Sequence, residues 1–128
     1  MDLAEEEQQL SITHGDAAMD VVFLAPASLT FEQTTGWDPA PTRPGSATPQ
    51  HHFVASTQEP ANELRFVTVL TPYSAGEPDT LPREITLLDA EGGAAVRIDD
   101  VTVLVRGADA AEARVGEHAT TERVAVIR

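Results

Sequence analysis

Four histidines are the residues of this sequence best suited to metal binding or acid–base chemistry: His14, His51, His52 and His118. Only His51 and His52 are close together in the chain. Adjacent side chains on a strand point to opposite faces, so this pair is predicted not to hold one metal ion between them. The sequence contains neither an H-x-H nor an HExxH pattern. The histidines are therefore predicted to be solvated side chains near strand ends, and no metal site is expected.

The carboxylates and hydroxyls show no catalytic spacing. Asp99 and Asp100 stand at a predicted turn, where an aspartate side chain binds the local backbone. Asp16, Asp20 and Asp38 could in principle share a calcium ion, but their spacing does not match an EF-hand loop. No serine lies in a G-x-S-x-G elbow, and the chain has no cysteine. The sequence therefore predicts no catalytic residue and no cofactor.

Two aromatic residues are the strongest candidates for ligand contact. Trp37 is the only tryptophan, and Tyr73, the only tyrosine, follows a predicted strand. Large aromatic rings offer the contact area that stacking on a sugar requires. Together with His51 and His52 they form the predicted binding set. The alternative for Trp37 is that it folds back and plugs one end of the domain, since large aromatic side chains are mostly buried.

The charge of the chain excludes several partners. It has 21 acidic and 8 basic residues, for a formal net charge of −13, and every basic residue is arginine. Such a surface repels phosphate backbones and anionic lipid headgroups, so nucleic acid and membranes are not expected partners. It would also repel an anionic glycan on average, unless arginines cluster locally. The simplest role of this charge is solubility.

Hydrophobic periodicity predicts the elements that would position these residues. Ser28–Gln33 alternates apolar and polar residues, which is typical of a half-buried strand. Turn signals separate similar segments along the whole chain, and no segment has the length of a typical helix. The fold class is therefore predicted to be all-β, an antiparallel β-sandwich of roughly nine short strands. The predicted strands are Gln9–Thr13, Met19–Ala25, Ser28–Gln33, His51–Ser56, Glu63–Thr71, Glu84–Asp89, Ala94–Ile98, Val101–Arg106, Ala113–Val115 and Arg123–Ile127.

Residues 1–128 are predicted to form a single domain, because the length suits one core. Residues 1–8 are interpreted as an acidic tail, with neither the basic start nor the apolar stretch of a secretory signal. Residues 34–50 contain four prolines and two glycines and are predicted to be one long loop. The strand Glu63–Thr71 carries apolar residues on both faces, which predicts a central strand that Pro72 ends.

One region resembles a known family. MDVVFLAPASLTFEQTTG, an extended linker, HHFVAST and then ELRFVTVLTPY are similar in organisation to the C-terminal β-sandwich of heparinase II/III-like polysaccharide lyases. The last of these segments matches a strand of the form F-x-T-V-L-x-P-Y, here from Phe66 to Tyr73. The similarity in organisation extends over residues 12–128.

The resemblance implies a part of a lyase. In that family a helical toroid carries most of the β-elimination machinery, and the β-sandwich packs against it. His14 and Tyr73 are the only residues here that could stand for the family's catalytic histidine and tyrosine, and neither lies in a matching segment, so no catalytic residue is transferred. The implied partners are a polysaccharide and a helical catalytic domain of the same parent chain, and the implied location is exported or periplasmic.

Three functions remain open from the sequence, and one of them, an independent small hydrolase, has no residue pattern that supports it. The first is a non-catalytic accessory module of such a lyase, which predicts an exposed apolar patch where the helical domain would dock. The second is a free-standing β-sandwich that binds carbohydrate or protein, which predicts that Trp37 is exposed.

Overall fold

The computed structural model describes residues 2–4, 8–37, 42, 45 and 50–128. Within them the chain is built of antiparallel strands and one short 3-10 turn at Pro78–Thr80, as the sequence predicts. The strands are β1 (Asp2–Ala4), β2 (Gln9–His14), β3 (Ala17–Ala25), β4 (Leu29–Gly36), β5 (Gln50–Thr57), β6 (Val67–Ser74), β7 (Ile85–Leu88), β8 (Gly93–Ile98), β9 (Val101–Arg106), β10 (Ala113–Val115), β11 (His118–Thr120) and β12 (Val124–Ile127).

Two four-stranded sheets form the sandwich. The first sheet has the order β1-β2-β3-β6, and the second has the order β12-β9-β8-β7. Two hairpins add to them: β4 pairs with β5, and β10 pairs with β11. The predicted fold class, an antiparallel β-sandwich, is confirmed.

The described residues hold twelve strands instead of the roughly nine predicted. One extra strand is β1, which lies inside the predicted acidic tail and pairs with β2. Another is β11, which pairs with β10. Both are three residues long. Such short segments carry too little periodicity to be read from sequence, and a neighbouring strand determines their conformation.

The predicted loop at residues 34–50 is shorter than expected. Strand β4 continues to Gly36 and β5 begins at Gln50, and these two residues face each other at the end of the ladder. Thr34 and Thr35 are β-branched, which suits a strand better than a loop. Residues 38–41, 43–44 and 46–49 of the predicted loop, with Asp38 among them, lie outside the described residues.

Strand β6 differs from its prediction in its bounds along the chain and in its location within the sheet. It begins at Val67 rather than Glu63 and runs through Pro72 to Ser74. It is an edge strand of the first sheet, not a central one. An edge tolerates proline, because the missing N–H can face away from the ladder. Arg65, two residues before β6, donates from Nη1 to the carbonyl of Gly93 at 2.6 Å.

The two hairpins cover the outer faces of the sandwich. Phe31 and Phe53 of the β4–β5 hairpin pack on Phe23 of the first sheet, with ring centroids 5.4–5.8 Å apart. On the second sheet, Ala113 of β10 joins Leu104 and Ala95 in a buried cluster. The core is small: the buried hydrophobic residues are Leu10, Ala18, Val21, Leu29, Ala95, Val96, Leu104 and Ala113.

Asp99 fastens the turn between β8 and β9 to the start of β7. Its Oδ1 accepts hydrogen bonds from the backbone N–H groups of Arg83 at 2.9 Å and Glu84 at 3.0 Å. The residue has a positive φ of 51°, which aspartate tolerates better than most side chains. The predicted role of this aspartate at a turn is confirmed.

Candidate functional site

Two of the predicted binding residues lie side by side on the β4–β5 hairpin. His51 faces Thr35 across the ladder and His52 faces Thr34, so the two rings project from opposite faces, as predicted. His51 Nδ1 lies 3.1 Å from Thr35 Oγ1. His52 Nε2 donates to the carbonyl of Gly36 at 3.4 Å. Both side chains are exposed.

Trp37 follows directly after β4, so it lies at the same end of the hairpin as the two histidines. Its exposed fraction is 37%. The structure therefore brings Trp37, His51 and His52 to one exposed end of the hairpin. A tryptophan ring can stack on a sugar ring and an imidazole can hydrogen-bond its hydroxyls, but the two imidazoles lie on opposite faces, so only one of them could share a ligand with Trp37.

Tyr73, the fourth predicted binding residue, lies elsewhere. It is on β6, half-buried, and its side chain points to the inner face of the first sheet. Its hydroxyl donates to Asp20 Oδ1 at 3.4 Å. Tyr73 therefore belongs to a different site from Trp37, and the predicted binding set divides into two groups.

Asp20 is the centre of a polar cluster on that inner face. Ser11 Oγ donates to its Oδ1 at 2.8 Å, and Gln9 Nε2 donates to its Oδ2 at 3.0 Å. The three strands β2, β3 and β6 are neighbours, which places Gln9, Ser11, Asp20 and Tyr73 on one face. A half-buried carboxylate with three donors is well satisfied. The cluster is therefore a built feature of the sheet.

Sequence reasoning missed this cluster. It considered Asp20 only as one of three possible calcium ligands. A signal was present: Asp20 interrupts the apolar segment MDVVFLA, and Gln9 and Ser11 alternate with apolar residues on the preceding strand. The sequence does not reveal the strand order of the sheet. The contact between Asp20 and Tyr73, which lie 53 positions apart, could therefore not be predicted.

A cleft of about 370 Å³ opens beside the cluster. Its lining includes Gln9, Asp20 and Thr71 from the first sheet and Arg83 from the segment before β7. The cleft therefore offers an amide, a carboxylate, a hydroxyl and a guanidinium to a polar ligand. No histidine lines it.

The environment of Tyr73 shifts its titration. Burial raises the pKa of the phenol above its usual value, and the negative charge of Asp20 and the hydrogen bond to it act in the same direction. The fold thus favours the neutral phenol. This stabilisation is fully present below the ordinary tyrosine pKa of about 10 and is lost as the pH rises through the raised value.

Replacing Asp20 by asparagine is expected to lower the pKa of Tyr73, because the mutation removes the negative charge and leaves burial as the main cause of the shift. The chain has a single tyrosine, so its ultraviolet phenolate absorbance reports this group alone. The exposed turn variant Asp100→Asn serves as the control and should leave the titration unchanged. Equal titration curves for Asp20→Asn and the unmodified chain would contradict the role given to Asp20.

No group of three or more histidine, cysteine, aspartate or glutamate side chains among the described residues is arranged to hold a metal ion. His14 ends β2 opposite Ala17, and His118 begins β11 opposite Val115, so neither joins the hairpin histidines. No helix in the described part of the chain is long and apolar enough to cross a membrane.

The inner face of the second sheet is entirely apolar. Alternation along its four strands puts ten residues on this face, which we call the valine face: Ile85, Leu87, Ala94, Val96, Ile98, Val101, Val103, Val105, Val124 and Val126. Exposure rises across it from 9% at Val96 to 40% at Val105, 52% at Val124 and 59% at Val126. Leu87, at the opposite margin, is 37% exposed. The valine face is therefore covered at Val96 and open toward β12.

The fold and these sites define an all-β antiparallel sandwich with one exposed aromatic end, one polar cleft and one open apolar face. No family model matches the chain, and neither a curated protein nor a solved structure matches it.

Proposed function

We propose that this chain is the non-catalytic C-terminal β-sandwich module of a heparinase II/III-like polysaccharide lyase, which packs against a helical catalytic domain of the same parent protein. The observation that carries the proposal is the valine face, whose β12 margin is more than half exposed at Val124 and Val126. A module that docks on another domain needs such a patch, and the sequence-based hypothesis required one.

The segments that carry the family resemblance support the proposal by their location. The MDVVFLAP segment forms β3 and its end at Pro26, and the F-x-T-V-L-x-P-Y segment runs from Phe66 along β6. These two strands pair with each other over most of their length, from Ala17 opposite Ser74 to Ala25 opposite Val67. The similar segments therefore form one structural unit of the first sheet.

A structural role suits the chemistry of the described residues. Tyr73 hydrogen-bonds to Asp20, and no histidine lines the cleft beside it. The net charge of −13 repels an anionic polysaccharide. Under this proposal the β-elimination machinery belongs to the helical domain, and glycan contact by this module would come from Trp37 at the end of the hairpin.

The intact mass of the native protein, measured from its source cells, tests the proposal together with an activity assay. We expect a product several times heavier than 13.7 kDa. That product should release unsaturated uronate, seen by its ultraviolet absorbance, from an acidic polysaccharide. The isolated 128-residue chain is the matched control and should release none. A native mass of 13.7 kDa, or a heavier product without this activity, would overturn the proposal.

The second candidate is a free-standing carbohydrate- or protein-binding sandwich. The exposed Trp37 beside His51 and His52 favours it, since a ring that plugged the sandwich would be buried. A native mass of 13.7 kDa would select this candidate.

A further inference from the structure

We infer that β6 is an acceptor strand, and that an extended segment of the parent protein pairs with its open edge and covers the β12 margin of the valine face. The identity of the parent rests on the proposed function. The need for a strand at this edge rests on the geometry of the two sheets.

The first observation is the open edge itself. Among the described residues β6 pairs only with β3, so its other edge has no strand beside it. Its first five residues, VTVLT, contain neither a charge nor a proline, the usual protections of a true edge, and Pro72 comes only after them. Apolar residues on both faces are typical of a central strand. The part of β6 before Pro72 thus suits a strand with two neighbours.

The second observation is the offset between the sheets. A cleft of about 300 Å³ runs along β6 and is lined by Val67, Thr68, Val69 and Leu70. Successive residues of a strand point to opposite faces, so all four can line one cleft only at the edge of the sheet. The opposite wall is formed by β8 and β9, with Ala94, Val96, Ile98, Val103 and Val105. Strand β6 therefore lies above β8 and β9, and β12 extends beyond it.

The third observation is the exposure of the uncovered side chains. Val105, Val124 and Val126 point to the same inner face as the half-buried Val103 but are exposed by 40%, 52% and 59%. Neighbouring strands in a sheet lie about 4.8 Å apart, and packed sheets about 10 Å apart. One more strand beside β6 would therefore lie directly over these three valines.

A strand fits this place better than the other occupants. A docked helix would cover the valines but would leave the backbone N–H and C=O groups of the β6 edge without partners. A second copy that paired β6 with β6 by two-fold symmetry would bring the two β12 strands into the same space, because β12 extends beyond β6. Pro72 has no N–H, so any strand on this edge, including the one inferred here, would pair with about five residues before it.

The partner strand is therefore an alternating one, with apolar side chains toward the valine face and polar side chains outward toward solvent. Basic residues among the polar ones would favour association with a chain of net charge −13. A suitable probe is a synthetic peptide of about seven residues that alternates valine with lysine and threonine. A matched peptide with proline in place of the threonines cannot complete the ladder and serves as the control.

The experiment is amide hydrogen exchange of the full chain with each peptide, followed by titration of two variants. We expect the first peptide to slow exchange about tenfold at the β6 amides that face away from β3, and the proline peptide to have no effect. Val124→Lys should weaken binding of the alternating peptide about tenfold or more, since it removes an apolar contact between β12 and the bound peptide. Val54→Lys is the matched control, because Val54 is also 52% exposed but lies on the hairpin.

Three results would overturn the inference. The first is absence of protection at β6 by the alternating peptide at millimolar concentration. This result would overturn the inference even if the native protein proved to be a large lyase, as the proposed function requires. The second is equal protection by the proline peptide, which would indicate an occupant that is not a strand. The third is a concentration-dependent dimer of the free chain that protects β6 and is lost in Val124→Lys, which would assign the edge to a second copy.

Discussion

Leu104→Ala is expected to lower the free energy of unfolding by about 3–4 kcal/mol, the largest effect of any single side-chain truncation among the described residues. Leu104 is the only large side chain among the described residues that is fully buried, at 0% exposure. It packs between Ala95 of β8 and Ala113 of β10. Two alanines cannot move far enough to fill the space, so the cavity would persist.

The measurement is chemical denaturation followed by circular dichroism. Leu70→Ala is the matched control, because Leu70 is 57% exposed and its truncation should cost less than 1 kcal/mol, about the effect of a surface change. A small domain has a total stability of only about 5–15 kcal/mol, so Leu104→Ala would remove a large share of it. Equal midpoints for the two variants would show that the Ala95–Leu104–Ala113 cluster is not the centre of the core.

Gly93→Ala is expected to destabilise the chain by about 3 kcal/mol, as an overpacked site at a backbone contact. A Cβ on Gly93 would overlap the carbonyl oxygen of Val105 and lie 3.2 Å from the Cβ of Ala113. Backbone atoms of β9 cannot move aside without breaking the β8–β9 ladder. The glycine therefore permits the close approach of β8, β9 and β10 around Leu104.

Gly76→Ala is the control for this substitution. Nothing lies within 4 Å of a Cβ at Gly76, and its backbone is not left-handed. At such a position alanine restricts the unfolded chain and should stabilise by about 0.4–1 kcal/mol. The two variants are compared by thermal denaturation. A Gly93→Ala chain as stable as Gly76→Ala would mean that β8 and β9 lie further apart than described.

The doublet Gly92-Gly93 shows how a correct local prediction can be incomplete. The sequence predicts a tight turn there, and the loop between β7 and β8 does contain Gly92 with a positive φ of 66°. Gly93, however, begins β8 and is required by contact with Val105, which lies 12 positions further along the chain. Turn propensity is a property of neighbouring residues, whereas close approach depends on which strands pack together.

Strand β6 and the Asp20 cluster were beyond sequence reasoning for the same reason. The pattern of Glu63–Thr71 predicts a strand with two neighbours, but strand order decides whether it has them. Asp20 meets Tyr73 only because β3 pairs with β6 across the long excursion of the β4–β5 hairpin. Likewise, the period-two pattern of β9 indicates that Val103 and Val105 share a face. It does not indicate that the first sheet ends before it covers β12.

The sequence by itself determined the local features: the all-β class, the strand β3 that stops at Pro26, the alternation of Leu29 and Phe31 on β4, and the Asp99 turn. Each of these depends on backbone preferences and hydrophobic alternation over a few residues. Only the tertiary structure decided the strand order, the small core around Leu104, the separation of Tyr73 from Trp37, and the open valine face. Those features depend on contacts between residues far apart in the chain, which short-range periodicity does not encode.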